Sequence, residues 1–488
     1  MLRTRLAALA LTLACACDLA DDPRRQWLQA TLVLDNQIFL DTTPALARGK
    51  FAKMSASFYN FFRGTIGQWA RDVGAPGGAG YWPSAYATVA TGDVALVGDP
   101  HLENIGSFRD ATGELVADFN DFDASGHGPY YYDVRRLALS FHVAATQLEL
   151  LDVREDAVRA AATAYADEVT LLSGGATLEA TSTSVGHGAI LEHMFRKAAE
   201  DGGAREELAE YTRVVDGRRE MFYGEIEPGR MVEMGGFSEP IAEDATVPPT
   251  EAEAALLDSI LGVYPDCLEA PIPAEHRALK GVSRRLGAGV SSYPVLRLYA
   301  LLEGPTAAVG DDVLLEIKEV WDAAPFPGLT RLPSQGFGDD ARRVVQQQRA
   351  MQSSRLNDPF LGCATLGSMT FRVRDRTKYQ RGLDVAKIAE EIAEGDWSGD
   401  DLVVLADRAG RLLARSHARA RKQDGADALP ALAAALAGDA AGFADETAEF
   451  VAAYGEALAD DYRHFLDLLA VVGPSLAYAP AAAPRTEP

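Results

Sequence analysis

Positive charge is scarce in this chain. Its 488 residues hold 46 Lys and Arg against 71 Asp and Glu, a formal net charge of -25. Such a surface repels nucleic-acid phosphates and anionic lipid, which excludes a nucleic-acid partner and a function built on phosphodiester contacts. An anionic ligand such as a nucleotide stays admissible where a local basic pocket or a bound cation receives it. Cysteine is scarce too. Beyond Cys15 and Cys17 there are only Cys267 and Cys363, which read either as one disulfide or as two buried thiols. No internal repeat is visible, and no apolar run after the N-terminus is long enough to span a membrane. What is abundant is hydrophobic sequence, 48% of residues. That makes the chain globular and, at this length, large enough for two or three lobes.

The N-terminus reads as an export signal over residues 1–17. Arg3 and Arg5 form a basic start, residues 6–14 are apolar but short, and Ala14-Cys15-Ala16 supplies small residues before Cys17. The pattern fits a lipoprotein of the cell envelope whose only membrane attachment is a lipid on Cys17. Ala14 stands where that pattern usually has Leu, and an ordinary cleaved signal or a cytoplasmic chain are the alternatives. Residues 18–42 read as a tether, polar at the start. The remainder divides into a catalytic-loop lobe with a helical insertion (43–270), a strand-rich lobe (271–380), a helical part (381–473) and a disordered Pro/Ala-rich tail (474–488).

Periodicity places the elements. Phe51, Met54, Phe58, Phe61 and Phe62 recur at helical spacing and predict a helix over 45–69. Residues 89–97 read as a strand running into Gly98. Two apolar runs, 105–108 and 115–119, flank Asp110 to Gly113 as a hairpin. Helices are expected over 131–148, 154–172, most of 192–223, 340–352 and 402–421, and strands over 294–303, 313–320 and 368–374.

The chemistry concentrates between Gly98 and Asp133. Asp99 and Asn104 lie five apart on one loop, the spacing with which a catalytic Asp deprotonates an attacking hydroxyl while an Asn holds a metal. After the hairpin comes Asp118-Phe119-Asn120-Asp121-Phe122-Asp123, a place for the carboxylates that hold magnesium at the phosphates. Asp and Asn also favour turns. Yet so many carboxylates beside apolar strands are costly without a cation or hydrogen bonds. A second cluster has Arg284 and Arg285, then Gly287 and Gly289, before a strand carrying Lys318. Lys318 reads as a phosphate ligand or as a surface pair, with Glu316 its nearest same-face partner. His101 reads as a structural hydrogen-bonder or a catalytic or metal-binding group. Arg63 reads as a phosphate contact or a helix cap, and His417 as a core histidine.

The order Gly-Asp-x-His-x-x-Asn, strand pair, Asp-Phe-Asp, Gly-Pro, Tyr-Asp is similar to the aminoglycoside- and choline-kinase-like branch of the protein-kinase-like fold. That resemblance implies Asp121 as the metal carboxylate, Asp118 as its runner-up, Asp123 sharing the ion, and Asp133 supporting the loop from beneath. It also implies an α+β, kinase-like fold with a large helical complement. Because the Gly287 cluster follows the catalytic loop, that fold would be circularly permuted. Its third glycine is missing, and Gln346, Gln347 and Gln348 stand where a kinase helix carries Glu. Across most of the chain, Phe61-Phe-Arg-Gly64, Gly98-Asp-Pro-His101, Asn120-Asp-Phe-Asp123, Asp133-Val-Arg-Arg-Leu137, Ile317-Lys-Glu319 and Ala414-Arg-Ser-His-Ala-Arg419 resemble the uncharacterised bacterial family called domain of unknown function 2252. That family supplies no activity.

The expectation is therefore an ATP- and magnesium-dependent phosphotransferase acting on an unknown hydroxyl acceptor. Asp99 and His101 are the catalytic candidates, Asn104, Asp121 and Asp123 the metal ligands, and Gly287, Gly289, Lys318 and Arg63 the nucleotide contacts. The alternatives are a catalytically silent kinase-like binding module and a metal-dependent phosphoester hydrolase using Asp99, His101 and Asp121.

Overall fold

A computed structural model describes residues 22–479 except 111, 184–185, 201–203, 274–277, 321–335, 354–355, 357 and 377–380. The export signal, Cys17 and the tail from 480 lie outside the described residues. The structure is mixed α+β, with packed helices on one side and an antiparallel sheet on the other. Among the described residues no helix is long and apolar enough to cross a membrane.

The segment expected as a tether is instead structured from residue 22 onward. Asp22 caps a helix, Pro23–Thr42, by accepting from the amides of Arg24 and Arg25, and Pro23 fits its first turn. Leu28, Leu32 and Phe39 are buried along it. Arg24 clamps it down, donating to Asp72 at 2.7 and 2.6 Å and to Asp461 at 2.8 and 2.5 Å. The aromatic helix is also broken differently. Ser57 caps a fresh start, so the helices Pro44–Ser55, Phe58–Gly64 and Ile66–Gly74 follow one another.

The helical side is built from Tyr130–Gln147, Arg154–Ser173, Gly399–Arg419 and Ala440–Val472. Its core runs through Leu137, Phe141, Tyr165, Leu413 and Phe450. The tail turns back at 474–479, where Leu476 is buried and Tyr478 donates to Asp41 at 2.6 Å, so order extends past the expected end of structure.

The large sheet has seven antiparallel strands, in the order Gly362–Leu366, Met369–Asp375, Val313–Val320, Arg297–Leu302, Leu279–Leu286, Asp244–Val247 and Gly224–Glu227. Two of these precede residue 271, so the strand-rich lobe begins earlier than its composition suggests. The expected helix over 192–223 stops at Tyr211, and strands Thr212–Val215 and Arg218–Met221 follow as a hairpin. Alternation buries Leu298, Ala300, Leu315 and Ile317 with Phe371 and Val373 in a separate core. A disulfide, Cys267–Cys363, fastens the edge strand to the turn Tyr264–Cys267. The helix Asp340–Met351 reaches back to the Gly98–Asp133 region. Its Arg343 donates to the Asp123 carbonyl at 2.9 Å, and Gln347 to the Gly126 carbonyl at 3.0 Å.

Candidate functional site

The loop after strand Val94–Leu96 is set by one buried carboxylate. Asp133, in the first turn of helix Tyr130–Gln147, accepts from the amides of Val97 at 2.7 Å and Gly98 at 3.0 Å. His417 comes within 3.1 Å of the same carboxylate through Nε2, and its Nδ1 lies 2.8 Å from the Tyr165 hydroxyl. Asp133 thus holds the loop from beneath, and His417 lies fully in the core. Gly98 has φ +87°, and a Cβ there would run into the carbonyl of Ala124.

Asp99 turns into the cleft but is not alone. Arg136 Nε donates to it at 2.7 Å, while the same guanidinium donates to the Phe62 carbonyl at 2.9 Å and lies 3.7 Å over the Phe62 ring. Burial pushes the Asp99 carboxyl up from its ordinary value; Arg136 opposes this and the Asp121 charge adds to it. Arg135 points elsewhere, to Glu446 at 2.9 Å. His101 is buried, with Nε2 3.9 Å from Asp99, and its Nδ1 has no hydrogen-bond partner among the described residues. Burial, then Arg63 and Arg136, hold this imidazole neutral well below its usual range. Asn104 donates to the Asp99 carbonyl at 2.9 Å. Arg63 pairs with Glu103, which also accepts from the Val385 amide at 2.9 Å. It therefore braces the loop while lining the cleft, a role neither cap nor phosphate contact describes.

Strands Ile105–Arg109 and Leu115–Phe119 form the expected hairpin, with Ile105 opposite Phe119 and Arg109 opposite Leu115. They separate Asp118 from Asp121. Asp118 is fully buried and accepts from the amides of Ser353 at 2.7 Å and Phe119 at 2.9 Å. It belongs to the packing beneath the cleft, which removes it as the runner-up metal ligand. Asp121 and Asp123 face the sheet. Lys318 lies 3.5 Å from Asp121 and in direct contact with Asp123. It is 197 residues from Asp121 in sequence. Burial disfavours the Asp121 charge, but Lys318 and Arg372 overcome it and hold the carboxyl well below the usual range.

The register explains this concentration of cations. Lys318 stands opposite Arg297 on one neighbouring strand and Arg372 on the other. Like charges side by side on a sheet are unfavourable, so carboxylates must meet them. Glu316 supplies one, bonded to Arg372 at 3.0 Å and Arg374 at 2.9 Å. Glu316 is thus the partner of arginines, and the partners of Lys318 are Asp121 and Asp123. Arg372 NH1 lies 3.7 Å from Asp123. No sequence pattern marked Arg372; its one signal is alternation with Phe371 and Val373, an arginine on the charged face of a buried strand.

Asp99, His101, Asn104, Asp121, Asp123, Arg63 and Gly289 line one cleft of about 470 Å³, to which helices Pro23–Thr42 and Pro44–Ser55 contribute Asn36 and Lys50. Gly287 is not in its wall. Its carbonyl accepts from Lys53 at 3.0 Å and its Cα packs on the backbone of Glu243, which gives it a turn-forming role. The donors suit a hard divalent ion, being carboxylate and amide oxygens. Asp123 Oδ1 and Arg372 NH1 make no hydrogen bond among the described residues but face each other at 3.7 Å, and Arg372 Nε has no hydrogen-bond partner there. Buried polar atoms left so are uncommon and fit a site that takes a charged group. Among the described residues the only trio of His, Cys, Asp or Glu already close enough to share an ion is Glu391, Glu394 and Asp396, outside this cleft. At the Asp-rich loop the place between the carboxylates is taken by the Lys318 ammonium.

The fold and this cleft define a mixed α+β protein with an acidic loop facing a cationic sheet. The family described as uncharacterized protein conserved in bacteria (DUF2252) matches residues 42–468, and the chain belongs to it. A comparison with curated proteins finds no match. A comparison with solved structures finds none either.

Proposed function

We propose that the protein is a kinase-like phosphotransferase that uses magnesium and ATP on a hydroxyl acceptor. The observation that carries this reading is the meeting of buried Lys318 with Asp121 and Asp123, 3.5 Å across to Asp121, the two carboxylates lining the cleft together with Asp99 and Asn104. The element order supports it. A strand, a glycine turn with φ +87° at Gly287 and +75° at Gly289, two further strands with Lys318 on the second, a helix and a strand pair succeed one another from Leu279 to Asp375. Read in that order, the sheet is a permuted kinase-like nucleotide lobe placed after its catalytic loop.

In this reading Asn104, Asp121 and Asp123 would hold magnesium with the Lys318 ammonium displaced from between the two carboxylates, and the ion would supply charge neutralisation at the phosphates. Lys318 and Arg372 offer donors to phosphate oxygens, and the Gly289 turn lets backbone approach them closely. Asp99 receives the acceptor proton, its affinity for protons raised by burial. Arg136 holds that carboxylate in place. Export with attachment at Cys17 is part of the proposal, and the Cys267–Cys363 bridge supports an oxidising compartment.

That same bridge favours a second reading, a kinase-like binding module without turnover, because ATP is scarce outside the cytoplasm. The Asp99–Arg136 pair at 2.7 Å also favours it. Calorimetric titration of the purified chain with ATP, with and without magnesium, tests both. Magnesium-dependent binding lost in Asp121→Asn is expected, with phosphate release distinguishing enzyme from module. Absence of nucleotide binding under both conditions sinks the kinase-like reading.

A further inference from the structure

Lys50 lies on helix Pro44–Ser55, is 6% exposed, and lines the cleft. Its Nζ donates to the neutral side-chain oxygen of Asn36 at 2.8 Å. Among the described residues no carboxylate is within ion-pairing distance of it. The nearest candidate, Asp35, is held by Arg71 through both oxygens, one at 2.8 Å, and accepts from Gln68 at 3.1 Å. Burying an ammonium against a neutral amide is costly. Here burial pushes the Lys50 amine down to about 8, an effect the Asp35 charge offsets only in part. At neutral pH the group still carries its proton. A lysine with a four-carbon stem normally carries its charge out to water; this one delivers it to a cavity wall.

The remaining cations of that wall are already used. Arg63 is paired with Glu103, and Arg71 with Asp35. Lys50 is the one wall cation without a carboxylate partner among the described residues, so it matches one negative charge on a ligand, and a second would face Asp35, Asp99, Asp121, Asp123 and Glu319 of the same wall. Apolar side chains, Phe39, Val290 and Val295, line the same cleft. They suit the hydrocarbon body of a ligand.

We infer that Lys50 and Asn36 form the anchoring subsite of the cleft for a small molecule with one carboxylate on an apolar body. As the anchor of a phosphoryl acceptor this rests on the phosphotransferase reading; as an anion site it stands on the Lys50 geometry alone.

Phenylacetate, phenylacetamide and phenyl phosphate are suitable probes, titrated calorimetrically into the purified chain. The expected result is phenylacetate bound about tenfold or more tightly than the isosteric amide, and more tightly than phenyl phosphate. Lys50→Met should erase the preference for acid over amide, and Lys50→Arg should keep most of it. Equal binding of acid and amide by the unaltered chain overturns the inference without need of a variant. So does a preference that survives in Lys50→Met, or phenyl phosphate as the better ligand. Carboxylate selectivity in a chain that binds no nucleotide keeps the anion subsite and removes the phosphotransferase reading.

Discussion

Two sets of buried charge border one cleft, and they are neutralised in opposite ways. At the loop, every cation meets a carboxylate: Lys318 meets Asp121 and Asp123, Arg136 meets Asp99, and Arg372 meets Glu316. At the N-terminal helices, Lys50 meets only an amide. The first set completes itself on folding. The second is completed by something that the fold does not supply. In the two proposals made above, the paired charges are the machinery held ready and the unpaired one is where a ligand brings the missing half.

Substitution can break this comparison. The largest effect is expected from Lys318→Met. It leaves Asp121 and Asp123 facing Arg372 alone, with Asp121 about one-third exposed. Removing one partner of such a group costs on the order of 1–3 kcal/mol, less than for a fully buried pair because water reaches the acids. Urea unfolding measures it. Under the proposed phosphotransferase reading, phosphoryl transfer should fall by roughly a hundredfold or more. A variant with unchanged stability and nucleotide affinity would mean that Lys318 is not part of the network.

Next comes His417→Leu. His417 is fully buried between Asp133 and Tyr165. Its loss strips hydrogen-bond partners from both, at about 1–2 kcal/mol. The Val97 and Gly98 amides still hold Asp133, so the fold should survive. Amide exchange at Val97 and Gly98 should quicken by the same free energy, whereas unchanged exchange would show that Asp133 needs no second support.

The smallest effect has the opposite sign. Lys50 has a folded-state pKa of about 8 against an ordinary 10.5. The unfolded chain therefore binds the proton more tightly, and the folded chain bears the full penalty below about pH 8. Stability from this group rises as pH climbs from about 8 to 10.5. Lys50→Met should remove that rise and stabilise the chain near neutrality by on the order of 1 kcal/mol, after the lost Asn36 bond is set against the relieved charge. Thermal melts across that pH window read it. A variant destabilised at neutral pH, with the pH rise intact, would put Lys50 in the self-completed set.

The comparison also explains what was legible in the sequence. The gathering of Asp99, Asn104, Asp121 and Asp133 around one loop was legible because they lie close together along that loop and the hairpin beside it. Lys318 could be read because it sits on an alternating strand after a glycine pair. Arg372 and Lys50 could not, since their meaning arises only where distant strands and helices meet. Asp118 misled because it shares the motif with Asp121, yet strand register turns it inward. The first helix was missed for a related reason. Its Arg24, Asp22 and Asp35 read as solvated polarity, but two of them clamp the helix to residues far along the chain, Asp72 and Asp461 for Arg24 and Arg71 for Asp35. The stripe Leu28, Leu32, Phe39 was the signal.

The turn at Gly98 also bears on descent. With φ +87° and the Ala124 carbonyl standing where a Cβ would go, no single codon change away from glycine leaves the loop intact. A lineage departs from glycine here only by rebuilding the turn after Asp123 in the same step, and with it the aim of Asp99. The position is an evolutionary one-way gate.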